Sequence, residues 1–126
     1  MLGEHELMAF VATTRPEQAR RFYTEVLGLR LVADERWALV FDAHGAMLRI
    51  QKTPELEPAK HTVLGWRVTD IEATMAGLVK KGLVFERYSF LPQDDLGIWT
   101  TPDGTKVAWF KDPDGNTLSL TQFAPG

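Results

Sequence analysis

Apolar positions along this chain follow two periods that take turns. MAFVAT (8–13) alternates in period two and reads as a short strand. The next segment, TRPEQARRFYTEVLG, places Ala19, Phe22, Tyr23, Val26 and Leu27 on one helical stripe. Thr14 and Glu17 have capping-box spacing, Pro16 suits a first turn, and Gly28 is a natural stop. Strand-like runs follow at 29–34, 36–42 and 46–52, with His44-Gly45 at the last turn.

The same order then returns. TPELEPAKH (53–61), with two prolines and mixed charges, reads as a linker. VLGWRV (63–68) is strand-like, Thr69 and Glu72 repeat the capping-box spacing, and Ile71, Met75, Leu78 and Val79 give the stripe that Gly82 ends. Strands are expected at 83–88, 105–111 and 117–122, with 89–104 a longer loop or extra hairpin turning at Pro102-Asp103-Gly104. The last two runs meet in FKDPDGNTLSLTQF (110–123), where Pro113 and Asp114 suit the corners of a tight turn and Gly115 its left-handed position. Beyond it, Leu118 and Leu120 alternate with Thr117, Ser119 and Thr121. The chain is therefore expected to be one α+β domain, 1–126, built from two βαβββ modules at about 7–52 and 62–122. Each module can bury its helix-facing side and leave the other face to a shared cleft.

Composition narrows the classes. A net charge of −3 supplies no basic footprint for nucleic acid. The absence of cysteine excludes disulfides, thiolate metal sites and cysteine nucleophiles. No apolar stretch approaches the roughly 18–20 residues that span a bilayer. MLGEHELMAF lacks the basic and apolar regions of a secretory signal, so a cytoplasmic protein is expected, with no membrane partner.

RRFYTEVLGL (20–29), TDIEATMAGLVKKG (69–82) and AWFKDPDGNTLSL (108–120) resemble segments of the vicinal oxygen chelate superfamily. That group holds glyoxalase I, extradiol dioxygenases, methylmalonyl-CoA epimerase and the fosfomycin- and bleomycin-resistance proteins. The resemblance runs from about residue 7 to 122. It implies sheets curled around a cavity, commonly completed by homodimerisation, and metal ligands (His, Glu or Gln) on the first and last strands of each module. Counted from this chain's helix starts and turns, those positions hold Met8, Arg49, Val63 and Ser119. Such a set offers no carboxylate or imidazole to a divalent cation, and an arginine repels one. His61 lies two residues before Val63, but one imidazole is not a site.

Strand parity assigns to the cavity Met8, Phe10 and Ala12; Met47, Arg49 and Gln51; Val63, Gly65 and Arg67; and Thr117, Ser119 and Thr121. The alternative register would bury Arg49 and Arg67 under the helices at great cost. Two guanidinium groups beside a Gln amide and small hydroxyls could grip a carboxylate or another oxygen-rich anion. Alternatively, each arginine pairs with Asp94, Asp95, Glu35 or Asp42. Trp66 falls on the core side, Trp37 and Trp109 have no assigned face, and Trp99 could stack on a ligand or serve an interface. Adjacent Asp94 and Asp95 point to opposite sides of an extended chain, which disfavours an acid–base pair.

The expected protein is a metal-independent small-molecule-binding member of this superfamily, bleomycin-resistance-like and without cofactor, with an anionic or oxygen-rich ligand. The ligand contacts expected are Arg49, Arg67, Met8, Phe10, Met47, Gln51, Val63, Trp99, Ser119 and Thr121. The alternative is a glyoxalase-like lyase or isomerase, or a dioxygenase, with a non-standard metal site.

Overall fold

The computed structural model describes all 126 residues, Met1–Gly126. They form two sequential units, Met1–Pro58 and Ala59–Gly126, that repeat one topology. In the first unit a single 3₁₀ turn (Leu2–Glu4) precedes β1 (Met8–Thr13), α1 (Pro16–Arg21), β2 (Arg30–Asp34), β3 (Ala38–Ala43) and β4 (Ala46–Lys52). The second contains β5 (Thr62–Arg67), α2 (Ile71–Lys80), β6 (Trp99–Thr100), β7 (Lys106–Lys111) and β8 (Thr117–Gln122). The strand orders are β1-β4-β3-β2 and β5-β8-β7-β6. In each, the first and last strands pair in parallel and the remaining pairs are antiparallel.

Parallel pairing brings residues of like parity onto one face. In the first unit Val11 lies beside Ile50 and Leu39 pairs with Ile50, while Phe41 pairs with Leu48. All of these are buried, and Tyr23 packs on Phe41 with ring centroids 5.8 Å apart. In the second, Trp66 lies beside Leu120 and stacks on Phe110 at 6.4 Å, so it belongs to the core side. Ile71 and Met75 bring α2 into that core, as the stripe predicts, but Val79 is exposed.

Both helices begin one residue later than the capping boxes imply. The residue before α1 is Arg15, which makes no side-chain cap; the Thr13 hydroxyl accepts the Arg15 amide at 3.0 Å instead. The cap of α2 is Asp70, whose carboxylate accepts the Ala73 amide at 3.1 Å. Gln122 Oε1 takes the Ile71 amide at 2.8 Å, tying the start of α2 to the end of β8. After Arg21 the first helix widens into a π turn (Phe22–Val26), with the Leu27 amide donating to the Phe22 carbonyl. Fully buried Tyr23 and half-buried Phe22 meet edge-on there at 5.3 Å.

The expected strand at 83–88 does not form. Its place at the sheet edge goes to β6, the extra hairpin, which turns at Pro102-Asp103-Gly104 with Gly104 at φ +94°. Residues 84–97 form no ladder; single backbone bonds, such as the Glu86 amide to the Trp109 carbonyl, hold them together with the Gln93 side chain. Gln93 donates to the carbonyls of Glu86 and Gly97 at 3.1 and 2.8 Å and accepts the Tyr88 amide at 2.7 Å. Those bonds satisfy backbone groups without period-two side chains, so strand pattern and strand part company here.

The DPDGN turn is built on Asp112. One carboxylate oxygen accepts the amides of Asp114 and Asn116, both at 2.9 Å, and the other accepts the Asn116 side chain at 2.8 Å. Gly115 takes the left-handed position at φ +86°. With Asp112 almost fully buried, its removal orphans several donors at once. Asp112→Ala is expected to cost about 2–4 kcal/mol in denaturant unfolding; a change below about 0.5 kcal/mol would show that the turn does not depend on it.

Candidate functional site

The open face of the second sheet is polar where its other face is apolar. Trp109 pairs with Ser119, Lys111 with Thr117 and Val107 with Thr121, while Gly65 lies beside Ser119 and Arg67 beside Thr121. Trp99 pairs with Val107, which puts both Trp99 and Trp109 on the Ser119 face. Gly65 lets the two strands' side chains meet closely: a Cβ at this position would lie 2.8 Å from Ser119 Oγ and make that hydroxyl turn away. A register shift between Thr62 and Leu64 sets Thr62, not Val63, opposite Thr117.

Aromatic rings assemble on this face. Trp109 is stacked at a tilt on Trp99 (6.2 Å) and meets Tyr88 edge-on at 5.6 Å, and Tyr88 contacts Phe90 at 5.5 Å. The Gln93 bonds hold the Tyr88 backbone, and the Glu86 amide donates to the Trp109 carbonyl at 2.8 Å, fixing this loop to β7. Tyr88, Phe90, Leu91 and Trp109 wall a pocket of about 180 Å³. Its polar lining comes from Lys60, His61, Thr62 and Thr117. The Trp109 indole donates to the Thr62 hydroxyl at 3.2 Å, and Lys111 Nζ donates to the Thr117 hydroxyl at 2.8 Å. Burial and, secondarily, the charge of Glu86 push the Tyr88 phenol above its ordinary pKa, so it remains a donor.

Of the residues expected from the sequence, Ser119 and Trp99 lie in this aromatic and hydroxyl row, though neither lines the pocket itself. Thr121 and Arg67 lie further along the same face. Arg67 meets no carboxylate; its guanidinium sits 5.0 Å from the Phe123 ring centroid, in a second, open concavity of about 350 Å³ at the C-terminal segment. In the first unit, Met8 lies beside Met47, Phe10 beside Arg49 and Ala12 beside Gln51, all on one face. Met8, Phe10 and Met47 are 43, 50 and 40% exposed. Arg49 is paired with Glu35 at 3.1 Å, one of the carboxylates the sequence offers it. Asp94 pairs with no arginine: it accepts the amides of Leu96 and Ile98, both at 2.9 Å, and its carbonyl and that of Asp95 accept from Arg87 at 2.6 Å.

Parity places Thr117 on the cavity side, but sequence reasoning missed Lys60, Thr62, Tyr88, Phe90, Leu91 and Trp109 as pocket-lining residues. For Trp109 a signal existed. Counting outward from the DPDGN turn pairs position 111 with 117, and hence 109 with 119.

The family's chelating positions do not fit a metal. Met8, Arg49, Val63 and Ser119 offer a thioether, a guanidinium, an aliphatic group and a hydroxyl, and nowhere do three or more His, Asp or Glu side chains gather.

The chain matches the family described as Glyoxalase/Bleomycin resistance protein/Dioxygenase superfamily over residues 6–120, and it belongs to that superfamily. Solved structures share the fold. A superfamily member from Sphaerobacter thermophilus is 21% identical with TM-score 0.73, over 94% of this chain and 97% of that one. A lactoylglutathione lyase from Agrobacterium tumefaciens is 15% identical with TM-score 0.72, over 92% of each chain. TnmS3, an antibiotic binding protein from Streptomyces sp. CB03234, is 27% identical with TM-score 0.69, over 94% of each. No curated protein sequence matches the chain.

Beside Arg49, Asp34 anchors an ion-pair network. It accepts from Lys52 at 2.6 Å and Arg20 at 3.3 Å, and Lys52 also donates to the Glu35 carbonyl at 2.7 Å. The Lys52 hydrogen bond above all, then its charge and Arg20, hold the Asp34 carboxyl below its ordinary pKa. A depressed folded-state pKa contributes stability above the unfolded value, and this is lost as pH falls through the folded one. Asp34→Asn is therefore expected to unfold more easily than the parent near neutral pH, with the two converging on acidification below the ordinary aspartate range. A difference independent of pH in thermal melts would contradict this.

Proposed function

We propose that this protein binds a small molecule noncovalently and sequesters it, in the manner of bleomycin-resistance proteins, without a metal. The observation that carries the reading is the pocket between Tyr88, Phe90, Leu91 and Trp109, with hydroxyls and cations along one side. An apolar cavity of about 150 Å³ accepts a benzene ring, so this pocket, open to solvent, suits one or two fused rings with the rest of the ligand outside. Flat aromatic walls supply apolar burial, and the few polar groups orient what is bound. Likeness in fold to an antibiotic binding protein supports the same reading. The homodimeric, cytoplasmic setting that the family resemblance implies belongs to this proposal. The dimer has support in the exposed apolar side chains Met8, Phe10 and Met47, and a purely monomeric sedimentation profile would remove it.

One observation favours the enzymic alternative: His61 lines the pocket and could move a proton or, with further donors, hold a metal. A glyoxalase-like lyase or isomerase, or a dioxygenase, would need that metal. Elemental analysis separates the readings, because stoichiometric Zn, Ni, Mn or Fe at a coordinated site would contradict metal-free binding.

Naphthalene, a bare two-ring probe, tests the pocket. It is expected to bind the parent protein, and Phe90→Ala, at a largely exposed position, is expected to weaken it roughly three- to tenfold, the worth of one aromatic contact. Equal affinity in calorimetric titrations of the two would remove Phe90 and this pocket from the site.

A further inference from the structure

The polar side of the pocket presents donors and no carboxylate. Lys60 and His61 bring nitrogen donors, and Thr62 and Thr117 bring hydroxyls. Each hydroxyl oxygen already accepts one hydrogen bond, from the Trp109 indole or from Lys111 Nζ. A hydroxyl has one proton, and no group of the chain takes it from either threonine, so both O–H bonds are free to donate toward the pocket. The Lys111 ammonium polarises the Thr117 O–H by donating to its oxygen, which makes that hydroxyl a stronger donor to a negative acceptor. In the other unit, Glu35 already engages the Arg49 guanidinium.

Resting on the reading of this pocket as a ligand site, we infer that its ligand is a planar aromatic carboxylate. The ring lies against Trp109, Tyr88 and Phe90, and the carboxylate accepts from the Thr62 and Thr117 hydroxyls, with Lys60 and Lys111 supplying the positive field. A neutral ring gains only the apolar contacts. A ring carrying an ammonium group gains cation–π attraction from the aromatic walls but finds donors and like charge on the polar side, so it binds less well than the carboxylate. Thr117, held from behind by Lys111, is thus a specificity-determining residue, and the anion is anchored within the second unit rather than by Arg49.

Three probes of one shape decide the matter: naphthoate, naphthalene and naphthylmethylammonium, titrated calorimetrically into the full chain. Naphthoate is expected to bind about tenfold or more tightly than naphthalene, the usual worth of a hydrogen bond to a charged group, and more tightly than the ammonium probe. Thr117→Val keeps the side-chain shape, and Lys111→Met removes the charge behind it; each is expected to erase most of the preference for naphthoate over naphthalene, read as the ratio of the two affinities in the same variant. Thermal melts identify any variant that has not folded, and the other variant then carries the comparison. Binding of naphthalene with no preference for naphthoate would overturn the carboxylate inference and leave the pocket as a ligand site. Failure of every probe to bind would overturn both. A preference for naphthoate that survives in both folded variants would overturn the role of Thr117 and Lys111.

Discussion

Parallel pairing of the first and last strands of each unit, β1 with β4 and β5 with β8, is the constraint on which the remaining features depend. Side chains alternate at every residue, so a slip of one position would turn Leu48, Ile50, Leu118 and Leu120 out of the core face and bring Arg49 and Ser119 into it. The cost of burying a guanidinium and of removing four large aliphatic groups from the core selects one register. Asp112 then carries that register across the turn, so that Trp109 falls opposite Ser119 and Lys111 opposite Thr117. The pocket follows from these pairings: move β7 by one residue and both its indole wall and its lysine-backed hydroxyl are lost.

A second consequence concerns chemistry. The positions that the family resemblance assigns to metal ligands hold Met8, Arg49, Val63 and Ser119, with no carboxylate or imidazole among them, yet the polar face persists. Its polarity has been put to hydrogen-bond donors: threonine hydroxyls whose oxygens are engaged by Trp109 and Lys111. On the proposed reading, such a surface recognises acceptors by geometry and field, which is what binding and sequestration require.

Much of this was legible in the sequence because the deciding signals were local and periodic. Parity put Arg49 and Arg67 on the open faces, the DPDGN turn was readable from Pro113, Asp114 and Gly115, and the repeat of elements gave the two-module fold. The capping boxes misled by one residue because Thr14 and Thr69 compete with the following residue for the helix start, and only tertiary context decides. The run at 83–88 has strand composition, but the hydrogen bonds of Gln93 satisfy its backbone in another way. The pocket was the least legible part. It joins Lys60, His61 and Thr62 to a loop some thirty residues away that is shaped by one glutamine side chain and tied to β7 by the Glu86 amide, and no period encodes that.

The indole N–H signals of the four tryptophans in a nitrogen–proton correlation spectrum, followed as naphthoate is added, test the central claim most directly. Trp109 walls the pocket and Trp99 lies against it, whereas Trp66 packs on the opposite face of the same sheet and Trp37 belongs to the other unit. The account predicts that the Trp109 signal moves most, that of Trp99 follows, and those of Trp37 and Trp66 stay in place. Movement confined to Trp37 or Trp66, or none at a concentration where calorimetry shows binding, would place the ligand elsewhere and contradict it.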